Sequence, residues 1–288
     1  MYSQVAVVSG KGGTGKTTIC AAFAAMADDA VLVDCDVDAP DLHILLHPQI
    51  VEEWDYQGLP LAAIDADACT MCGICRQACR FHAATPPTID RIACEGCGLC
   101  AYLCPEHAIK IGPRVSGKTY WSNTRFGPLS HARLFAGEGT SGKLVTEVRK
   151  KASEIALREG RSMILIDGSP GIGCPVISTL TGVDLAVIVT EPTLTGAHDM
   201  ARVVGLCREL EVPASVIVNK HDVNPDMTEQ IEESCMEWGL EVLGRVPFDP
   251  VMVHSMVATQ TLPEFAPHSE VTLLLARMWE RIVDTINY

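Results

Sequence analysis

The stretch that decides the fold is Ser9–Gly10–Lys11–Gly12–Gly13–Thr14–Gly15–Lys16–Thr17–Thr18. It follows an apolar run, Val5–Val8, and opens a helical pattern near Lys16–Ala27. GxxxxGK[ST] between a strand and a helix is typical of a phosphate-binding loop. Glycines let successive backbone N–H groups point at phosphate oxygens, and the helix amino terminus adds partial positive charge. We therefore expect a nucleotide site at this loop.

Individual loop residues have expected roles in that site. Lys16 should reach the β- and γ-phosphates, and the Thr17 hydroxyl should bind Mg²⁺. The residues predicted to bind nucleotide from this loop are Gly12, Gly13, Thr14, Gly15, Lys16, Thr17 and Thr18.

Beyond the loop, short apolar runs alternate with longer helical stretches. The predicted strands are Val5–Val8, Val31–Val33, Met163–Ile166, Leu185–Val189, Ser215–Val218 and Val242–Val246. The predicted helices lie near Lys16–Ala27, Leu144–Glu159, Ala197–Glu209, Pro225–Trp238 and Val271–Ile286. This alternation predicts an α/β fold with a mostly parallel sheet and helices on both faces.

Residues 60–113 interrupt this rhythm, because Cys, Gly and Pro replace the periodic apolar pattern there. We interpret this segment as an inserted small domain. The surrounding P-loop domain would then be discontinuous, comprising 1–59 and 114–288, with the Gly-, Ser- and Thr-rich residues 114–142 leading back into it.

Eight of the thirteen cysteines lie in the insert as two matching runs. The spacing is x₂, x₂, x₃ in each run, and a shift of 25 residues relates the two. The runs are Cys69, Cys72, Cys75 and Cys79, followed by Cys94, Cys97, Cys100 and Cys104. This is the bacterial two-cluster ferredoxin pattern, in which the fourth cysteine of each run binds the other cluster. The first [4Fe-4S] cluster would take Cys69, Cys72, Cys75 and Cys104, and the second Cys94, Cys97, Cys100 and Cys79.

A zinc site is the alternative for these cysteines, since paired CxxC motifs also bind zinc. Three cysteines at intervals of three, then a fourth, favour iron–sulfur clusters. One departure from the ferredoxin pattern is Cys79–Arg80, where the second run has Cys104–Pro105. Without proline after Cys79, we expect the turn at that position to be less rigid, while Cys79 itself remains as a ligand.

The early lysine, Lys11, resembles the deviant Walker A motif of the MinD/ParA/Mrp ATPase family, and the subgroup implied here carries an inserted two-cluster ferredoxin domain. In that family the early lysine crosses a dimer interface to the partner's nucleotide. The resemblance therefore implies an ATP-dependent homodimer in which Lys11 acts in trans with Lys16. A solvated loop lysine is the alternative for Lys11.

The same resemblance assigns further site residues. Asp36 matches the carboxylate that orients the attacking water, and Asp167 matches the Walker B residue near Mg²⁺. The Gly171 amide would lie near the γ-phosphate, and Asn219 and Pro247 near the base. Asp34 and Asp38 are left open, because either one can simply cap the turn after its strand.

The composition limits which classes of binding partner we expect. The formal net charge is −14, and no long Lys/Arg run or 18-residue apolar run is present. We therefore expect neither nucleic acid nor a membrane as a main partner. The first residues read as a strand and not as an export signal, so we expect a cytoplasmic protein. Cys20, Cys35, Cys207 and Cys235 read as core residues, whereas a switch or ligand role for Cys174 stays open.

The expected activity is hydrolysis of ATP, with ATP, Mg²⁺ and two [4Fe-4S] clusters as cofactors. Three uses of that activity compete: electron transfer with a redox partner, delivery of iron–sulfur or metal cofactors to an accepting protein, and a MinD/ParA-like spatial switch. The last predicts a basic patch or a cationic amphipathic tail, and Val271–Tyr288 reads as an ordinary core helix.

Overall fold

The structure is a computed structural model that describes residues 2–139 and 142–286. Predicted spans that include positions 1, 140, 141, 287 or 288 extend outside these described residues at those positions. The described chain divides into two compact units. The first comprises the described residues of Met1–Glu53, Tyr120–Ala132 and Thr140–Tyr288, and the second comprises Trp54–Thr119 and Arg133–Gly139.

Parallel strands dominate the main sheet. The strands of the described chain are β1 Ser3–Ser9, β2 Ala30–Asp34, β3 Gln49–Gln57, β4 Leu61–Ile64, β5 Ala84–Thr85, β6 Thr88–Ile89, β7 Ile109–Gly112, β8 Val115–Thr124, β9 Gly127–Leu134, β10 Met163–Pro170, β11 Leu185–Thr190, β12 Ala214–Asn219 and β13 Glu241–Val246. Nine form one sheet in the order β13-β12-β11-β1-β10-β2-β9-β8-β3. The neighbouring pairs from β13 to β9 are parallel. The predicted α/β fold with a mostly parallel sheet is confirmed.

Helices follow most of these strands. Those of the described chain are α1 Lys16–Met26, α2 Leu42–Leu46, α3 Ile74–Ala78, α4 Leu99–Leu103, α5 Gly142–Glu159, α6 Cys174–Leu180, α7 Leu194–Glu209, α8 Pro225–Glu237, α9 Pro250–Val257, α10 Leu262–Phe265 and α11 Glu270–Ile286. Helix α1 is buried over most of its length, and Phe23 stacks on Trp279 of α11 with ring centroids 5.2 Å apart. This packing fixes the helix that begins at the phosphate-binding loop.

Sheet register brings the polar strand ends together. The apolar residues of β1, β2 and β10 are almost fully buried, as expected for central parallel strands. Ala6 pairs with Ile166, and Asp167 pairs with Asp34. Because carboxyl ends of parallel strands meet at one edge, the loop after β1 and both aspartates lie at the same edge.

All six predicted strands and all five predicted helices of the main domain are present, with ends shifted by a few residues. The prediction missed β3, β8 and β9. Residues 114–142 were expected only to lead back into the main domain, yet Val115–Thr124 and Gly127–Leu134 are two of the longer strands. Helices α2, α6, α9 and α10, each of eight residues or fewer, were also missed.

The second unit repeats itself with the 25-residue period of its cysteines. Helices α3 and α4 each follow a left-handed glycine, Gly73 and Gly98. The Asp65 N–H donates to the Ala108 carbonyl at 2.8 Å, and the equivalent Asp90 N–H donates to the Ala83 carbonyl at 2.8 Å. Strand β4 pairs with β7, and β5 with β6. The sequence repeat is therefore also a repeat of backbone structure.

Among the described helices, none combines the length and the apolarity needed to cross a lipid bilayer.

Candidate functional site

The phosphate-binding loop connects β1 to α1 and requires glycine where its backbone turns. Gly13 and Gly15 have φ values of +82° and +90°, a region that side chains other than glycine disfavour. A Cβ atom on Gly15 would lie 2.3 Å from Asn219 Nδ2. That amide donates to the Thr14 carbonyl at 2.7 Å, so the end of β12 holds the loop closely.

A cavity of about 630 Å³ opens beside this loop. Its lining includes nearly all of the nucleotide-site residues predicted from the sequence, namely Gly12, Gly13, Thr14, Gly15, Lys16, Thr17, Thr18, Asp36, Asn219 and Pro247. It also includes residues without a predicted role, namely Ser9, Ala39, Asp41, Ser169, Pro170, Pro175, Lys220, Met252, Val253 and Met256. Asp38, whose role was left open above, lines it too, as do Phe248 and Asp249.

Lys16, which lines the cavity, is paired with a buried carboxylate. Lys16 Nζ lies 2.6 Å from Asp167 Oδ1, and the Thr17 hydroxyl donates to Asp167 Oδ2 at 2.8 Å. Burial acts to lower the pKa of Lys16, but the Asp167 carboxylate outweighs it, so the pKa lies above its usual value. Lys16 therefore carries its charge in the lining of this cavity, and its role toward phosphate stays a prediction.

Two further carboxylates lie at the carboxyl end of β2, Asp34 as its last residue and Asp36 just after it. Asp34 Oδ1 accepts from the Asp36 N–H at 3.0 Å, which is the turn-capping role left open above, while Asp34 Oδ2 is buried without a hydrogen-bond partner. Burial raises the pKa of Asp34 well above its usual value, and it raises the pKa of Asp36 to about 6. The buried carboxylates of Asp34 and Asp167 and the half-buried hydroxyl of Thr17 supply oxygen atoms, the ligands that Mg²⁺ prefers, so these residues fit that ion.

Lys11 is held within its own chain. Its Nζ lies 2.7 Å from Glu191 Oε1 and donates to Thr195 Oγ1 at 3.1 Å. Lys220 Nζ lies 2.9 Å from Glu191 Oε2 and donates to the Gly13 carbonyl at 3.0 Å. Burial acts to raise the pKa of Glu191, but hydrogen bonds from both lysines hold it below its usual range. We call Lys11, Glu191 and Lys220 the Glu191 bridge.

Two predicted residues make contacts within the protein that the sequence did not suggest. The Gly171 N–H, expected near the γ-phosphate, donates to the Ser9 carbonyl at 2.9 Å. Asn219, expected at the base, donates to Thr14 as described above and accepts from the Lys220 N–H at 3.0 Å. Their roles toward nucleotide stay predictions.

The eight clustered cysteines surround two smaller cavities in the second unit. Cavity one is lined by Cys69, Cys72, Cys75 and Cys104. Cavity two is lined by Cys79, Cys94, Cys97 and Cys100. Each cavity thus combines three cysteines of one run with the fourth cysteine of the other, which is the interleaving that the spacing predicts.

The cysteine cavities differ from a site for one ion. In the described part of the chain, no group of three or more His, Cys, Asp or Glu side chains is close enough to hold a single metal ion. A cubane cluster binds each thiolate at a different iron atom, so its ligands stand further apart than those of one ion. The four cysteines that line each cavity are the ligand set of such a cluster, so the residue types fit that group, and its presence stays a prediction.

Backbone donors face at least one of the thiols. The Ala83 N–H donates to Cys79 Sγ at 3.3 Å. Burial acts to raise the pKa of Cys79, but N–H groups of residues 81–84 lower it below its usual value. Cys75 and Cys94 are buried, whereas Cys72 and Cys97 are exposed, so each cavity is lined by one buried and one exposed cysteine.

The remaining cysteines lie in the first unit. Cys20, Cys35, Cys207 and Cys235 are buried, and burial raises the pKa of each thiol. They occupy the core positions that their apolar context indicates. Cys174 is exposed at the start of α6, and its role stays open.

Comparisons with known proteins match this geometry. The sequence model of the CbiA family, described as the CobQ/CobB/MinD/ParA nucleotide binding domain, matches residues 5–258. The uncharacterized protein MJ0578 of Methanocaldococcus jannaschii is 31% identical over 286 residues, covering 98% of this chain and 97% of that protein. A second protein of that organism, MJ0579, is 26% identical over 249 residues, covering 76% of this chain and 81% of that protein.

Solved structures show the same fold. The septum site-determining protein MinD complexed with Mg-ADP from Pyrococcus horikoshii superposes with a TM-score of 0.60 at 17% identity, covering 98% of this chain and 96% of that one. The cell division ATPase MinD of Pyrococcus furiosus gives 0.60 at 18% identity, covering 99% of both chains. With the matched family model and the loop geometry, these findings assign the chain to the CbiA family of CobQ/CobB/MinD/ParA nucleotide-binding P-loop proteins.

Proposed function

We propose that the chain is a Mg-ATP-dependent, dimerising ATPase that carries two [4Fe-4S] clusters and couples its ATP cycle to electron transfer with a redox protein. The observation that carries this proposal is the pair of cavities, each lined by the four cysteines that the interleaved pattern requires, in a chain that also has a phosphate-binding loop. We also propose the domain limits 1–59 with 114–288 for the ATPase and 60–113 for the ferredoxin-like insert.

Hydrolysis follows from the residues at the loop. The oxygen of a water molecule bonds to the γ-phosphorus, and the bond from that phosphorus to the β–γ bridging oxygen breaks. ADP keeps the electron pair of the broken bond, the water oxygen becomes part of the free phosphate, and a proton of the water is released to solvent. Lys16 stabilises charge on the phosphoryl oxygens, and Mg²⁺, when bound through Thr17 and Asp167, neutralises charge that develops there. Asp36, which lines the cavity, accepts a hydrogen bond from the attacking water.

Lys11 would complete this site from a second subunit. Its side chain is 27% exposed and is held by groups of its own chain, so it can be released to another position. We propose that ATP binding moves Lys11 from the Glu191 bridge to the nucleotide of the partner, which is the deviant Walker A arrangement.

Cys69, Cys72, Cys75 and Cys104 would hold one cluster, and Cys79, Cys94, Cys97 and Cys100 the other. When bound, the clusters supply one-electron transfer. The protein contributes buried ligands at Cys75 and Cys94, and exposed ligands at Cys72 and Cys97 where another protein can approach. We propose that the nucleotide state governs that approach.

Delivery of clusters to an accepting protein is the second candidate. The exposure of Cys72 and Cys97 favours it, because transfer begins when an incoming thiolate displaces an accessible ligand. Stable clusters that are reduced and reoxidised while bound support electron transfer, whereas rapid movement of iron and sulfide to an apo-acceptor supports delivery.

The decisive experiment is anaerobic purification, followed by iron and acid-labile sulfide analysis, EPR spectroscopy and ATPase assays of oxidised and reduced protein. We expect about eight iron and eight sulfide per chain, with an ATPase rate that changes with redox state. About two zinc ions with no sulfide would refute the clusters. Equal ATPase rates in both redox states would refute the coupling.

Lys16→Met is the control for the ATPase assay. It keeps a flexible, unbranched side chain that is one atom shorter but removes the charge, so it should abolish ATP hydrolysis while the iron and sulfide content is retained.

A further inference from the structure

The two cysteine cavities differ in the charge of their lining. The 25-residue repeat makes Arg80 equivalent to Pro105, and Phe81 equivalent to Glu106. Arg80 lines cavity two, whereas Glu106 lines cavity one. A cation and an anion thus stand at neighbouring positions of the same repeated turn, one beside each cavity.

Glu95, the other charged residue in the two linings, does not cancel this difference in charge. Glu95 also lines cavity two, where it offsets Arg80, and its equivalent in cavity one is the uncharged Thr70. Among the described residues lining cavity one, Glu106 is the charged one. The lining of cavity one therefore carries one more negative charge than that of cavity two.

This difference acts on any cluster that the cavities hold. Reduction adds one negative charge to a cluster, so a nearby cation favours the reduced form and a nearby anion disfavours it. A hydrogen bond to a ligand sulfur acts in the same direction as the cation, and Cys79 of cavity two accepts one from Ala83.

We infer that the cluster in cavity two has the higher reduction potential and holds the electron first, with Arg80 and Glu106 setting the order. This inference rests on the proposed presence of two clusters. One electron, supplied by a low-potential one-electron donor protein, then passes from the cluster in cavity one to that in cavity two, which oxidises the first and reduces the second. No bond or proton changes in that step.

The test is a redox titration of the anaerobically purified full chain, with reduced clusters followed by EPR. Native protein should show two midpoint potentials. Arg80→Gln should lower the higher midpoint, decreasing the ratio of reduced to oxidised cluster by about tenfold at a fixed potential, which is about 59 mV for one electron. Glu106→Gln should instead raise the lower midpoint by a similar shift.

Arg91→Gln is the matched control, because Arg91 is an exposed arginine of the same unit whose side chain does not line either cavity. An Arg80→Gln shift no larger than the Arg91→Gln shift would overturn the inference, as would a single midpoint for both clusters. Iron and sulfide analysis separates the two proposals. Missing sulfide overturns the clusters themselves, whereas full cluster content with unshifted midpoints overturns only the order.

Discussion

Glu191→Gln should strengthen ATP-dependent dimerisation. In the Glu191 bridge the carboxylate binds Lys11 at 2.7 Å and Lys220 at 2.9 Å. If Lys11 acts on the partner's nucleotide, it must leave this carboxylate first. Glutamine has nearly the shape of glutamate, so the packing is kept, but the ion pair with Lys11 is lost. This loss destabilises the monomer, which contains the pair, more than the dimer, in which Lys11 has left Glu191.

The expected change in dimer affinity depends on how far the ion pair of Lys11 and Glu191 is exposed to water. The side chains of Lys11 and Glu191 are 27% and 15% exposed, so the pair is only partly shielded from water, and we assign it about 1 kcal/mol. Each subunit of a symmetric dimer releases its own Lys11, so the substitution should change the free energy of dimerisation by about 2 kcal/mol. The dimer dissociation constant should therefore fall about 30-fold.

The assay is sedimentation equilibrium with ATP, in an Asp36→Ala background that slows hydrolysis. Glu232→Gln is the matched control, because Glu232 also pairs with a basic residue, Arg245, on the surface of the same unit. A dissociation constant within threefold of the parent, or a weaker dimer, would refute the reasoning.

Three other predictions test the loop, the fold and the cluster ligands. Gly15→Ala should weaken ATP binding at least about tenfold in calorimetry, because its φ of +90° disfavours a side chain and the new Cβ would meet Asn219; affinity within twofold of the parent would contradict this. Hydrogen bonds from Arg125 lower the pKa of Glu264 to about 2 from 4.5, so their stabilisation is present above pH 4.5 and is lost as pH falls toward 2. After allowance for exposure, Glu264→Gln should lower the free energy of unfolding in urea by about 1 kcal/mol at pH 7 and by less at pH 3.5; an equal loss at both values would count against the pair. Cys97→Ala should reduce iron from about eight to about four per chain, whereas Cys174→Ala should retain all of it.

The sequence predicted the parts of the fold that local patterns encode. Central strands such as Val31–Val33 are continuous apolar runs, and the loop at Gly10–Thr17 has a motif whose backbone geometry demands its glycines. The cysteine sets were also predicted, because both runs match the two-cluster ferredoxin pattern, in which the fourth cysteine of each run belongs to the other set. The structure brings the same sets together around separate cavities.

Other features depend on contacts between distant segments. Strand β3 reads QIVEEWDYQ and is exposed over most of its length, so it lacks the apolar signal of a buried strand. Glu191 and Lys220 follow different strands, β11 and β12, and become neighbours only because those strands pair in the sheet. Met252 and Met256 lie in the short helix α9, too brief for a periodic pattern, yet both line the nucleotide cavity.

The anchoring of the phosphate loop by β12 has a thermodynamic consequence. The side chains of Asn219 and Lys220 donate hydrogen bonds to the carbonyls of Thr14 and Gly13, so the loop is already folded before a ligand binds. A preorganised receptor loses little conformational entropy on association. Most of the intrinsic binding energy of a triphosphate would then be available for the proposed movement of Lys11 toward a second subunit.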